Sequence, residues 1–364
     1  MDILESVVIG AGQAGLAASF HLRRRGIEHV VLDANPAPGG AWQHRWDSLT
    51  MADVHGVADL PDATAPDRSG LRANDVVPGY FGDYERRHDL PVVRPVRVDR
   101  VERDGDDLVV RAGARSWRTH TLVNATGTWT RPFVPHYPGI ETFAGEQFHT
   151  AHYPGSDHLR GQRVLVVGGG ASAVQFLGEL ALVTKTVWVT RRPPVWRDEF
   201  DPAAGLAAVT AVEDRVRRGL PPASVVSVTG LMLRPQERRA AELGAYERLP
   251  MFARIEPSGV RWEDGAFEPV DVILWATGFR PAVDHLAPLG LRSPEGGIAL
   301  EPVRGNVQAA TTAVRDPRIQ LVGYGPSAST IGASRAGRQA ALAVERLLAA
   351  RPADQLSAEL DLTG

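Results

Sequence analysis

Short apolar runs that end in glycine, each followed by apolar positions at helical spacing, set the rhythm of the chain. Val7-Val8-Ile9 meets Gly10-Ala-Gly12-Gln13-Ala14-Gly15, then Leu16, Ala17 and Phe20 share one helical face. Gly26 ends that helix, and Val30-Val31-Leu32 leads into Asp33. Continuous apolar runs of this length suit strands covered on both faces, and an amphipathic helix between two of them makes the pair parallel. The alternation returns later. Arg163 to Val167 is an apolar strand, Gly168-Gly-Gly170-Ala171-Ser172-Ala173 follows, and Ala173, Val174, Leu177, Leu180 and Ala181 form a helical face. Thr186 to Thr190 is the next strand, and Arg191-Arg192 comes after it.

Smaller signals fill the intervals. The Asp-, Pro- and Gly-rich stretch 53–73 predicts a long surface loop, and Asn74 is placed to cap a helix that reaches Tyr84 to His88. Val92 to Val101 and Leu108 to Arg111 predict two strands joined by the turn Arg103-Asp-Gly105-Asp. A short strand ends in Ala125-Thr126-Gly127, and its counterpart Val272-Ile-Leu-Trp275 ends in Ala276-Thr277-Gly278. Pro132, Pro135 and Pro138 predict an extended connector, and residues 197–250 predict an insertion with helices near Ala207–Arg218 and Pro235–Arg248. Ile319 to Gly325 predicts a buried strand, and Ser329-Thr330-Ile-Gly332 opens a helix that runs to Leu348.

The glycines carry candidate chemistry. One is needed for the tight turn, one lets a pyrophosphate approach the backbone, and one allows close packing of helix on strand. The N–H groups at the helix start attract phosphate. Twenty-three positions separate Gly10 from Asp33, and the same number separates Gly168 from Arg191. One structural place therefore holds an acid in the first unit and arginine in the second. An acid there accepts hydrogen bonds from free ribose hydroxyls, whereas arginine suits a 2′-phosphate. The first site is expected to prefer FAD or NAD and the second NADP. The fold class expected is α/β, with two Rossmann-like dinucleotide-binding domains.

Composition narrows the options further. The 364 residues carry 43% hydrophobic and 23% charged side chains and a net charge of −3, the balance of an ordinary globular protein with no general attraction for nucleic acid or anionic membrane. Glycines and charges interrupt every apolar stretch, so no membrane span is expected and the cytoplasm is the expected location. The absence of cysteine removes thiol nucleophiles, dithiol relays and cysteine-ligated metals together. No histidine spacing predicts a metal site either.

The connector adds a more specific pattern. Phe143-Ala-Gly145-Glu-Gln-Phe-His149-Thr-Ala-His-Tyr153 matches F-x-G-x-x-x-H-x-x-x-Y, and Pro154 follows it. With this motif, Gly39-Gly40-Ala-Trp42-Gln43-His44, both Ala-Thr-Gly turns and Gly323-Tyr-Gly325, the chain resembles the bacterial flavin-containing monooxygenases, a class B group related to the Baeyer–Villiger monooxygenases. The resemblance implies an FAD domain over residues 1–150 and 280–364, with an NADP domain over 151–279 inserted into it. It implies an NADPH-dependent FAD monooxygenase that forms a C4a-(hydro)peroxyflavin and transfers one oxygen atom to a small organic sulfide, amine or ketone. Ketone oxygenation as the main activity, a non-oxygenating FAD-dependent NAD(P)H reductase and a non-catalytic regulator stay open as alternatives. The partners expected are a small-molecule substrate and O2, with a homodimer left open as the assembly.

Residue by residue, the FAD site is expected to draw on Gly10, Gly12, Gln13, Ala14, Gly15, Asp33 and Ala34. Gly40, Trp42, Gln43, His44, Leu49 and Val98 are expected beside them, and Thr126, Gly127, Gly325 and Thr330 complete that site. The NADP site is expected to draw on Gly168, Gly170, Ala171, Ser172, Ala173 and Gln175. Arg191, Arg192, Thr277 and Gly278 belong with them. Longer relatives carry an asparagine beside the flavin that has no counterpart between Ser48 and Pro61, so Asp53 and His55 are the catalytic candidates there. His149 is read as orienting the domain connection, without a role in proton transfer.

Overall fold

The computed structural model describes residues 3–54, 57–196, 202–223, 231, 233, 235–303 and 310–351. The opening run becomes strand β1 (Ile3–Ile9), helix α1 (Gln13–Arg23) and strand β2 (His29–Leu32). β1 and β2 are parallel, with Ile9 opposite Leu32, so both glycine turn and acid emerge at the carboxyl edge where ligands bind in such sheets. Helix α2 (Ala73–Arg87) follows, then β3 (Val92–Val93), β4 (Arg100–Asp104), β5 (Asp107–Ala112) and β6 (Arg115–Asn124). β6 runs parallel to β1, and its first half pairs antiparallel with β5.

A second sheet is built from the middle of the chain. It contains β7 (Glu146–His149), β8 (Arg163–Val167) and β9 (Lys185–Val189), with helix α3 (Ala171–Leu180) between the last two. Helices α4 (Pro202–Arg217) and α5 (Pro235–Glu242) lie in the insertion, and β10 (Arg248–Leu249) closes it. A small antiparallel sheet of β11 (Arg254–Glu256), β12 (Gly259–Arg261) and β13 (Phe267–Pro269) precedes β14 (Val272–Trp275). The strand order is β10-β9-β8-β14-β7, all parallel.

The chain then returns to the first sheet through β15 (Thr312–Ala313) and β16 (Asp316–Leu321), which gives the path β15-β16-β6-β1-β2-β3. Helix α6 (Thr330–Ala349) packs along α1, and a Cβ on Gly337 would lie 2.7 Å from the backbone N of Ala18. That close approach lets Leu16, Ala17 and Phe20 share one core with Ala336, Ala340 and Val344. Removing a side chain such as Phe20 from water contributes roughly 1.5–3 kcal/mol.

Several expectations need correction. The run 92–101 is two strands, because Pro95 has no N–H to continue a ladder: β3 pairs with β2, and β4 pairs with β5. Arg72, not Asn74, is the N-cap of α2, and the Asn74 amide instead donates to Arg45 O (3.0 Å) and Asp47 Oδ1 (2.8 Å). The helix expected from Pro235 to Arg248 stops at Glu242, where Gly244 turns the chain (φ 77°) and lets Arg248–Leu249 join β9. The buried strand near Ile319 ends at Leu321 rather than Gly325.

Candidate active site

The two glycine turns have the same construction. At Gly10 the backbone has φ 99°, and a Cβ would lie 2.6 Å from Ala125 O. At Gly168 φ is 141°, and a Cβ would overlap Ala276 O. Each turn is thus pressed against its own Ala-Thr-Gly segment, whose first N–H donates back to the strand before the turn: Ala125 N to Ile9 O and Ala276 N to Val167 O, both 2.8 Å. By contrast, a Cβ on Gly12 or Gly170 would meet nothing within 4 Å. Both residues are the N-caps of their helices and supply no side chain, so the first-turn N–H groups face open space that a pyrophosphate fits. The third position tolerates a methyl group only in the second turn. A Cβ on Gly15 would overlap Gly10 O, whereas Ala173 is accommodated and fully buried.

The charged ends differ. Asp33 is 3% exposed, and its carboxylate accepts from Ala11 N (2.6 Å) and Asn35 N (2.7 Å), with Arg94 Nε at 4.0 Å. Arg94 is itself held by a two-pronged pair with Glu85, both contacts 2.7 Å. Arg191 and Arg192 are exposed. Arg248 stands beside them, donating from Nε to Thr190 Oγ1 at 2.9 Å. Arg248 was not anticipated from the sequence, because only the parallel pairing of β10 with β9 brings it to that edge.

Among the other expected residues, Gly40 is the most informative: at φ 51°, a Cβ there would lie 2.9 Å from Gly12 Cα, so the Gly-Gly-Ala-Trp loop lies directly on the first turn. Gln13 Nε2 reaches Ala58 O, Asp59 O and Ser334 Oγ, while its buried Oε1 has no partner among the described residues. Ala14 touches the β16 end, where a Cβ on Gly323 would be 3.5 Å from its methyl group. Ala34 is exposed next to Asp33, Leu49 is buried, and Val98 packs on the core at the β2 side. Gln43 Nε2 donates to Gly40 O (3.2 Å), and His44 shares a 2.8 Å hydrogen bond between Nε2 and Asn35 Oδ1. Burial lowers the His44 pKa.

Thr126 donates to Ala282 O at 2.6 Å, Thr277 donates to Phe133 O, and Gly127 and Gly278 take φ 61° and 78°. Gly325 lies under Val216 of α4, whose methyl would be 2.8 Å from a Cβ there. Thr330 is the first residue of α6, whose N-cap Ser329 accepts from Gly332 N at 3.1 Å. Ala171 and Ser172 open α3, and both are partly buried.

Asp53 sits where the two sheets meet, but its carboxylate accepts locally from Thr50 Oγ1 at 2.6 Å. Its carbonyl accepts from Gln175 Nε2 (2.9 Å), so Gln175 of α3 joins the second sheet to the 48–54 loop. His55 lies outside the described residues.

The connector motif forms the crossing between the sheets. His149 Nδ1 accepts from Ala151 N at 3.1 Å, which leaves Nε2–H to donate to Gly278 O at 2.9 Å, and Phe279 meets the ring edge at 4.8 Å. Tyr153 donates to Glu179 Oε1 (3.1 Å), and Ser48 donates to Glu179 Oε2 (2.8 Å). Burial and the Glu179 charge both raise the Tyr153 pKa, so its hydroxyl stays a donor. Trp129 stacks on Phe279 at 5.0 Å and on His44 at 6.2 Å. A cavity of about 470 Å³ lies against this crossing, bounded by Arg45, Trp46, Ser48, Thr150, Tyr153 and Glu179 among others. No group of three or more His, Asp or Glu suited to a metal occurs among the described residues, and among them no helix is long and apolar enough to cross a membrane.

Residues 7–220 match the family described as pyridine nucleotide-disulphide oxidoreductase. The chain is similar to a solved flavin-containing monooxygenase from Stenotrophomonas maltophilia, with 36% identity and a TM-score of 0.80, covering 95% of this chain and 99% of that one. It is 27% identical over 337 residues to an indole-3-pyruvate monooxygenase of Oryza sativa subsp. japonica, covering 78% of this chain and 76% of the relative. It is 29% identical over 227 residues to a Baeyer-Villiger monooxygenase of Streptomyces coelicolor, covering 59% of this chain and 42% of the relative.

Proposed function

The chain belongs to the pyridine nucleotide-disulphide oxidoreductase family, in its flavin monooxygenase branch, and we propose that it is an NADPH-dependent FAD monooxygenase acting on a small organic sulfide, amine or ketone. The FAD-holding part, expected over 1–150 and 280–364, gives up β7 (Glu146–His149), which pairs with β14 of the second sheet, so NADPH is held by residues 146–279. The observation that carries this reading is the pair of equivalent glycine turns with open N-caps, one ending in a buried acid and the other in exposed arginines. A solved structure of the same fold, 17% identical, holds FAD and NADP, and the two glycine turns of this chain suit the same pair of cofactors.

When bound, the flavin supplies hydride acceptance and oxygen activation. The chain's own residues bind, orient and exclude water. Asp33 receives the adenosine ribose hydroxyls of FAD on the lone pairs left by its two backbone donors. The first turns of α1 and α3 hold the two pyrophosphates, and Arg191, Arg192 and Arg248 face the 2′-phosphate that separates NADPH from NADH. The start of α6 stabilises negative charge on the flavin ring. His149 and Tyr153 brace the second sheet and α3 at the connector through Gly278 and Glu179, and Ser48 ties Glu179 to the first part of the chain. Asp53 is proposed to act at the flavin only if it leaves Thr50.

The lack of cysteine argues against disulfide reduction, for which a dithiol is required. The deciding experiment supplies FAD-loaded protein with NADPH, 18O2 and methyl phenyl sulfide. One labelled oxygen in the sulfoxide for each NADPH consumed is expected. Quantitative hydrogen peroxide without labelled sulfoxide, amine oxide or ester from the corresponding substrates would identify a reductase instead.

A further inference from the structure

The guanidinium of Arg45 has no carboxylate partner among the described residues. It lies over the Trp129 ring at 4.6 Å and over the Trp42 ring at 5.5 Å, and its Nε is buried without a hydrogen-bond partner. Burial lowers its pKa to about 10, so it is still a cation at neutral pH. Indole faces hold a cation, but they leave its in-plane N–H groups unused. A buried donor left in that state is costly unless a ligand satisfies it.

The other charged groups on the same cavity are already engaged. Asp47 pairs with Arg72 at 3.3 Å and accepts from Asn74. Glu179 accepts from Ser48 and Tyr153, and Asp157 pairs with Arg160 at 2.8 Å. His44 is bound to Asn35, and its lowered pKa leaves it neutral at pH 7. Arg45 is therefore the cation of this cavity whose fork is still to be filled.

The phosphates of both nucleotides have seats elsewhere, at Gly12, Gly170 and Arg191, and none of these residues lines the cavity. The anion left for Arg45 is one carried by the substrate. A planar carboxylate fits a guanidinium fork that lies over two flat rings better than a point-like or bulky anion does. We propose that Arg45 binds a carboxylate on the organic substrate, so that this chain oxygenates small organic acids that carry the oxidisable sulfur, nitrogen or carbonyl. The proposal rests on the monooxygenase reading above, but its binding step is separable from oxygen transfer.

The test titrates FAD-loaded protein, saturated with NADP+, with (phenylthio)acetate and with (phenylthio)acetamide in a calorimeter. The wild type is expected to bind the acid about tenfold or more tighter than the neutral amide, the size of one charge-assisted hydrogen bond. Arg45→Gln should bring the two to parity, and Arg45→Lys, which keeps the charge and loses the fork, should retain a reduced preference. Parity in the wild type overturns the proposal, and so does a preference unchanged in both variants. Loss of NADP+ affinity in Arg45→Gln with the acid preference intact also overturns it, by assigning the guanidinium to a cofactor phosphate. Should Arg45→Gln fail to retain FAD, the wild type and Arg45→Lys still decide the matter. Labelled product without acid preference sinks this proposal alone, whereas acid preference without labelled product sinks the monooxygenase reading, and with it the oxygenation of such acids, and leaves the carboxylate site at Arg45 standing.

Discussion

At the end of β2, Asp33 is buried and already accepts two backbone N–H groups, while twenty-three residues beyond Gly168 the matching position carries Arg191, exposed at the end of β9. The carboxylate of Asp33 is part of the turn it serves, because a buried charge persists only where donors surround it. The side chains of Arg191 and Arg192 are exposed and make no hydrogen bond or ion pair among the described residues. In the first module the residue proposed to choose the nucleotide thus also braces the turn, whereas in the second the proposed residues stand free of it. The same division runs inside each glycine turn, between a position closed by backbone and one open to a ligand.

The sharpest break in this comparison is expected at the closed positions. Gly168→Ala places a methyl group into Ala276 O at a φ costing about 1–3 kcal/mol by itself, so soluble yield should collapse. Gly170→Ala, in extended backbone with open space, should fold with an unchanged melting temperature and lose NADPH binding. If Gly170→Ala unfolds as readily as Gly168→Ala, the open seat is not open. Next, Asp33→Ala leaves Ala11 N–H and Asn35 N–H without their acceptor, at about 1–3 kcal/mol per unsatisfied group. Both a lower melting temperature and FAD-free purified protein are expected. Normal stability with FAD lost would separate the two roles that the structure joins.

Arg191→Gln should raise the Michaelis constant for NADPH about tenfold, in line with loss of one charge-assisted contact. The constant for NADH and the melting temperature should not move. An equal effect on both nucleotides would remove Arg191 from the 2′-phosphate, and the same assay on Arg248→Gln checks its neighbour.

The smallest effect concerns acid. Burial holds His21 and His285, on the first module, at about 4, and lowers His29, which bonds Ser19 at 2.8 Å. These groups bind protons more readily unfolded, so their contribution is complete above the ordinary value of 6.5 and is lost as pH falls from 6.5 towards 4. In the second sheet only His149 is lowered in the same way among the described histidines. Hydrogen exchange between pH 7 and pH 5 should therefore loosen β1, β2 and β6 more than β8 and β9. Equal loosening would show that the two modules respond to acid as one.

The glycine turns, their strands and helices, and the opposite charges at their ends were legible because each is encoded within about twenty-five consecutive residues, where period and spacing suffice. Residues 92–101 were misread because apolar alternation does not reveal which neighbour a strand will pair with. The insertion was misread after Glu242 because Arg248–Leu249 owes its strand to β9 rather than to its own propensity. The site shows the same boundary. That Asp33 stands at the end of β2 follows from position, but that its carboxylate also braces Ala11 does not.

By itself, then, the sequence determined two parallel units, their glycine turns, the acid and arginine that distinguish them, and the connector motif between them. Only the tertiary structure decided what covers each glycine, which arginine joins Arg191, and that His149 meets Gly278 while Tyr153 and Ser48 meet on Glu179. It also decided that Arg45 lies over the rings of Trp42 and Trp129, with no carboxylate partner among the described residues. The reason is range: helical period, turn chemistry and charge spacing act along the chain, whereas a side chain's partners, and so its cost or its use, are set by segments that the fold brings together, from 26 residues away for Tyr153 and Glu179 to 131 for Ser48 and Glu179.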